Sequence, residues 1–233
     1  MKFENLFILI LALIPLTVYA FVGVGFMGGS SPLHWDLLNE DCSDISDWSD
    51  LDNINGVSEV DPAGQFRMDA NTHAADNRAR RERDIGSYPD TFTVEIKLYH
   101  DSVGTGGNDD YFELDCFQSD ELLSANFCSD GLLIYDTDSG NQEVGIDLVK
   151  YGGSAEWQTW RFLVTFGVTG DGTCDVYLDD STHSWELVGD DIPCSHEYSG
   201  TDGATRLTQF GYTTDDMLSH VDHVKIATGL HTP

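Results

Sequence analysis

Positive charge is scarce in this chain. Eleven Lys and Arg stand against 41 Asp and Glu, a formal net charge of −30 over 233 residues, and only four of the bases are lysine. Such a charge repels phosphate backbones and anionic membrane surfaces, so nucleic acid is excluded as a partner. It favours solubility, cation binding and a salty medium. Zinc is excluded by spacing: the five cysteines form no CxxC and no zinc-type Cys/His pattern. No Ser/His/Asp or Cys/His triad can be argued from spacing, and no glycine-rich phosphate loop follows a strand. There is no internal repeat. Past the N-terminus no long helical periodicity occurs, which leaves short alternating segments as the material of the fold.

Charge is also missing locally. No charged residue occurs from Asn5 to Trp35, and Leu6 to Met27 is mostly apolar. Those 22 residues would span about 33 Å as a helix, long enough to cross a bilayer. Val18-Tyr19-Ala20 suits signal peptidase, so residues 1–27 read as a cleaved signal peptide or a retained hydrophobic anchor helix. Either way an extracellular or cell-surface location is expected, with membrane contact only through residues 6–27 if uncleaved. A Gly/Ser linker, 28–32, follows. Residues 33–230 then read as one β domain.

The clearest signal is Glu156 to Asp180. Trp160, Phe162, Val164 and Phe166 share one parity, as do Cys174, Val176 and Leu178, with Gly170-Asp171-Gly172 supplying a turn. Phe92 to Tyr99 and Tyr111 to Gln118 alternate in the same way. Val57 to Asp69 reads as a hairpin broken at Asp61-Pro62-Ala63-Gly64. Gly131–Asp136 with Glu143–Val149 reads as another. Trp185–Val188, Arg206–Tyr212 and His220–Ala227 complete an all-β, two-sheet antiparallel sandwich. In an exported chain, short loops between candidate neighbouring strands suggest the disulfides Cys116–Cys128 and Cys174–Cys194. Asp50 to Gly56 fails the calcium-loop pattern, since its glycine comes one place late. Arg78, Arg80, Arg81 and Arg83 fall within six residues of an expected short helix or loop. They read as ion-paired with surrounding acids, the sharper alternative being a clamp for an anionic glycan such as a uronate.

Thr91–Lys97, Glu113-Leu114-Asp115, the Trp157–Asp179 hairpin and Val221–Ile226 together resemble, in order, the concanavalin A-like lectin/glucanase jelly roll, including laminin-G-like domains. That resemblance implies a jelly-roll sandwich, glycan as partner, and a site on the concave face. Strand alternation puts Glu113 and Asp115 on one face, where two carboxylates need a metal, a shared proton or open water. Legume-type lectins bind metal with the pattern E-x-D-x-[FY], matched by Glu113, Asp115 and Phe117. Glu143 stands where their metal-binding histidine falls, so one calcium held by Glu113, Asp115 and Glu143 is expected. In the retaining glucanases of this fold a third acid follows. Here Phe117 or Gln118 occupies its place, which leaves an alternative glycan hydrolase or lyase using Glu113 and Asp115 without its general acid. Tyr99, Tyr111, Phe117 and Trp157 are the candidate sugar-stacking aromatics. A third reading is a filament or surface-layer subunit assembled through the N-terminal hydrophobic helix.

Overall fold

The computed structural model describes residues 33–51, 53–70, 77–102, 111–118, 120–128, 131–136, 140–143, 156–166, 172–195, 202–211 and 218–233. The expectations for the signal or anchor segment and for assembly through it lie outside these residues. His34–Pro233 forms one compact unit. Among the described residues every regular element is a strand. In chain order these are β1 (Leu38–Glu40), β2 (Ser49–Asp50), β3 (Val57–Val60), β4 (Phe66–Asp69), β5 (Asn77–Gly86), β6 (Thr91–Ser102), β7 (Tyr111–Gln118) and β8 (Asp120–Cys128). They continue with β9 (Gly131–Asp136), β10 (Gly140–Glu143), β11 (Gln158–Thr165), β12 (Gly172–Asp179), β13 (Glu186–Ser195), β14 (Gly203–Gly211) and β15 (Leu218–Thr228). One sheet runs β13-β12-β11-β6-β15-β4-β3, with β1 added to β15. The other runs β10-β9-β8-β7-β14-β5-β2.

Alternation explains how the sheets close on each other. In the first sheet Trp160 pairs with Leu178 on one side and Ile96 on the other, and Phe162 with Val176 and Val94. All six are fully buried. The second sheet answers with Phe112, Leu114, Phe127, Leu132, Ile134 and Leu207. Phe127 links the two layers, its ring edge-on to Trp160 at 5.5 Å and to Phe162 at 6.5 Å. Side chains of this size each contribute about 1.5–3 kcal/mol on burial.

Three expectations are corrected here. The arginine-rich segment is a strand, β5, not a helix or loop. Ala79 faces the core, while Arg81 donates to Ser58 and to the Trp48 carbonyl, and Arg83 pairs with Asp47 at 2.8 Å. Their long stems let charged ends leave the core side of an outlying strand. Second, Asp120–Cys128 is a strand, β8, where none was expected. Third, no disulfide forms, and all five cysteines are buried thiols. Cys116 faces the core, but Cys128 lies on the opposite side of the sheet and donates to the Gly131 carbonyl, so those two cannot meet. Cys174 and Cys194 sit on adjacent strands, yet the Cys174 thiol is directed to the Asp175 carbonyl. Burial pushes the Cys116 thiol up to about 12 and raises Cys174 as well, so both stay protonated.

Candidate functional site

The outer face of the second sheet carries the candidate site, and antiparallel register decides which side chains meet there. On β7 the residues pointing away from the core are Tyr111, Glu113, Asp115 and Phe117. Opposite Tyr111 stands Cys128, opposite Glu113 stands Asn126, and opposite Asp115 stands Ser124, all on β8. Between Cys116 and Phe117 the pairing slips by one residue, and this bulge turns Glu121 onto the same face. Leu133 and Tyr135 follow on β9. Tyr111, Glu113, Glu121, Ser124, Asn126, Cys128, Leu133 and Tyr135 line a cleft of about 340 Å³. On the other side of β7, β14 sets Phe210 against Tyr111, Thr208 against Glu113 and Arg206 against Asp115. Beyond it β5 adds Arg80 next to Thr208 and Glu82 next to Arg206. β14 is buried along nearly its whole length, on both sides, so this face is recessed rather than flat.

Burial dominates the electrostatics. Asp115 is only 3% exposed. Desolvation first, then the charges of Glu113 and Glu121, push its carboxyl well above the usual range. Burial likewise lifts Glu113 to about 6, although Arg80 nearby draws it down. Asp115 hydrogen bonds to Glu113, and Ser124 donates to Glu113 Oε1 at 3.3 Å. Two buried acids so joined hold one proton between them near neutral pH. Asp115 Oδ1 and Asn126 Oδ1 are buried and accept no hydrogen bond among the described residues. An acceptor left so costs about 1–3 kcal/mol, which a water or a ligand hydroxyl at the cleft floor would offset. Arg206 pairs with Glu82 and lies over the Phe117 ring, 4.2 Å from its centroid.

The residues singled out in the sequence divide between the two sheets. Glu113, Asp115, Tyr111 and Phe117 share the outer face described above. Tyr99 and Trp157 do not join them. They pack on each other at 5.5 Å on the outer face of the first sheet, with Lys97 over Trp157. Glu143 lies on β10, across Leu133 and Asn126 from Glu113. That is three strand spacings, about 14 Å between backbones, so the fold does not bring Glu143 to the acidic pair. Calcium takes about six to eight oxygen ligands. Among the described residues no group of three or more His, Cys, Asp or Glu is placed to hold a metal. Glu113 and Asp115 by themselves supply fewer oxygens than the set calcium takes.

Sequence reasoning set Glu121 near the pair but out of register, and missed Ser124, Asn126 and Tyr135. The available signal was Leu123-Ser124-Ala125-Asn126-Phe127, which alternates correctly once the bulge is allowed for.

No family model matches the chain, and no curated protein matches it. Solved structures do. Endo-β-1,4-glucuronan lyase from the fungus Trichoderma reesei superposes with a TM-score of 0.57 at 10% identity, over 82% of this chain and 94% of that one. Cellulose induced protein Cip1 gives 0.54 at 14% identity, over 83% and 100%. The metal-free Emp46p carbohydrate recognition domain gives 0.50 at 10%, over 85% and 100%. The fold is the concanavalin A-like jelly roll. Identities this low speak for the fold alone. Within this jelly roll the place of a glucanase general acid is filled by nothing acidic. Phe117 lies under Arg206. Gln118 faces the core, where its Oε1 accepts from the Tyr88 amide.

Proposed function

We propose that this protein is an exported glycan-recognition sandwich, binding a polysaccharide segment in the cleft between Tyr111 and Tyr135. The observation that carries the reading is the cleft lining itself. Two tyrosines flank a hydroxyl, an amide and carboxyls in a recessed groove of about 340 Å³. Sugar rings stack their apolar faces on aromatics while their hydroxyls need such polar partners. The similarity to a carbohydrate recognition domain and to a glucuronan lyase agrees with it. Export rests on the apolar Leu6–Met27 segment.

A second reading, glycan cleavage, is favoured by one specific feature. Glu113 is raised to about 6, close to the pKa a proton-transfer residue needs near neutral pH. A glycan array combined with an assay for newly formed chain ends separates the two, run with calcium and with chelator. Binding without new chain ends, unchanged by chelator, is expected. New chain ends lost in Glu113→Gln would establish the cleavage reading instead. Binding abolished by chelator would restore the calcium site.

A further inference from the structure

We propose that the cleft takes an acidic polysaccharide, with a uronate carboxylate bound by Arg80. This rests on the glycan reading above and adds the substrate class. The bases of this chain are mostly committed to acids. Arg67 binds Glu59 and Asp69, Arg83 binds Asp47, Arg161 binds Glu95, Arg206 binds Glu82 and Lys97 binds Asp222. Arg80 makes no ion pair among the described residues. Its Nε donates to Thr208 Oγ1 at 3.1 Å, its guanidinium lies 5.7 Å from the centre of the Phe210 ring, and both Nη groups remain for a ligand. Acids outnumber bases 41 to 11, so a guanidinium that acts on Glu113 only at a distance and closes no ion pair is placed by the fold, not by lack of partners.

The position suits the task. Arg80, Thr208 and Glu113 form one row across the sheet, so Arg80 lies two strand spacings, about 10 Å, from the cleft wall. Tyr111 and Phe210 stack at 4.6 Å between them and make a shelf from cleft to guanidinium. A sugar ring over Tyr111 would carry its carboxylate towards Arg80, whose planar fork matches two carboxylate oxygens. The net charge of −30 opposes any anion at long range. At physiological ionic strength, however, charges beyond about 8 Å are largely screened. Among the near acids, Glu82 is paired with Arg206, and Glu113 and Asp115 hold a proton between them. Glu121 stands on β8, the strand beyond β7 from Arg80.

The test uses the full chain and two polymers: a polyuronate, and the same polymer with its carboxyls reduced to hydroxymethyl groups. The wild type is expected to prefer the polyuronate about ten- to a hundredfold, the span of a charge-assisted contact. Arg80→Gln should erase that preference while keeping its affinity for the reduced polymer. Should Arg80→Gln not fold, Arg80→Lys replaces it, and loss of the fork should lower the preference about fivefold. Equal affinity of the wild type for both polymers overturns the acidic class and leaves the glycan reading standing. A preference unchanged by either substitution overturns the role of Arg80. Failure to bind either polymer or any arrayed glycan removes the glycan reading and this inference with it.

Discussion

Glu113 stabilises the fold only while it keeps its proton. Its carboxyl titrates near 6 in the folded chain against an ordinary 4.5, because burial penalises the charge. Between those pH values the folded state holds more protons than the unfolded one. Stability therefore falls as pH rises through that window and is level above it. A shift of this size is worth about 2 kcal/mol at most. Glu113→Gln should accordingly stabilise the protein by about 1–2 kcal/mol at pH 8 and leave it unchanged at pH 4, read by urea unfolding at both. An equal effect at both values would mean that burial does not raise the group. The sequence made this pair visible, since alternation alone put Glu113 and Asp115 on one side of β7. It did not show that Tyr99 and Trp157 belong elsewhere. Parity says which side of its own strand a residue takes, not which of two sheets the strand enters.

At the scale of elements, β5 and β8 decide the site and were the hardest to see. β8 is hidden because its bulge opposite Phe117 breaks the period of two that marks a strand. β5 is hidden because four arginines occupy a strand whose core side needs only Ala79 and Asn77 to be small or polar. The hairpin of β11 and β12 was legible, because Trp160, Phe162 and Val164 alternate without interruption. β5 is held in place by the chain before β3. Ile54 and Arg78 exchange backbone hydrogen bonds at 3.0 Å, and a Cβ added at Gly56 would lie 2.3 Å from the Arg78 carbonyl oxygen. Gly56→Ala should therefore cost about 1–3 kcal/mol and weaken polyuronate binding by displacing the strand that carries Arg80. Calorimetry with a binding assay checks both effects, and loss of neither would show that β5 is anchored otherwise. In the first sheet, Arg161 on β11 pairs with buried Glu95 on β6, which also bonds His223. Burial alone would raise the Glu95 carboxyl, but these partners hold it below the usual range. Arg161→Ala should lower stability by about 3 kcal/mol in urea unfolding, since it leaves a buried carboxylate with only one partner.

Over the whole molecule, charge and buried titrating groups set the working conditions. With a net charge of −30, self-repulsion is relieved by salt, so the melting temperature should rise between 0.05 and 1 M sodium chloride. A fall would show that local ion pairs outweigh the net field. The pH profile is bounded on both sides. Burial lowers His100 to about 3, so stability drops as pH falls below 6.5 and the unfolded chain takes up the proton first. Glu113 and Asp115 act from the other side, two carboxyls against one imidazole, so stability is expected to peak near about pH 4.5 and to fall as pH rises above it. The fold class was legible at this scale because strand order and turn signals recur along the chain. The cleft was not, because it is assembled from three strands of one sheet and a register slip. The most direct test of the glycan site compares the aromatics on the outer faces of the two sheets. Binding of the best array ligand should weaken about tenfold or more in Tyr111→Ala and stay unchanged in Trp157→Ala. The reverse pattern would contradict the cleft and move recognition to the outer face of the first sheet.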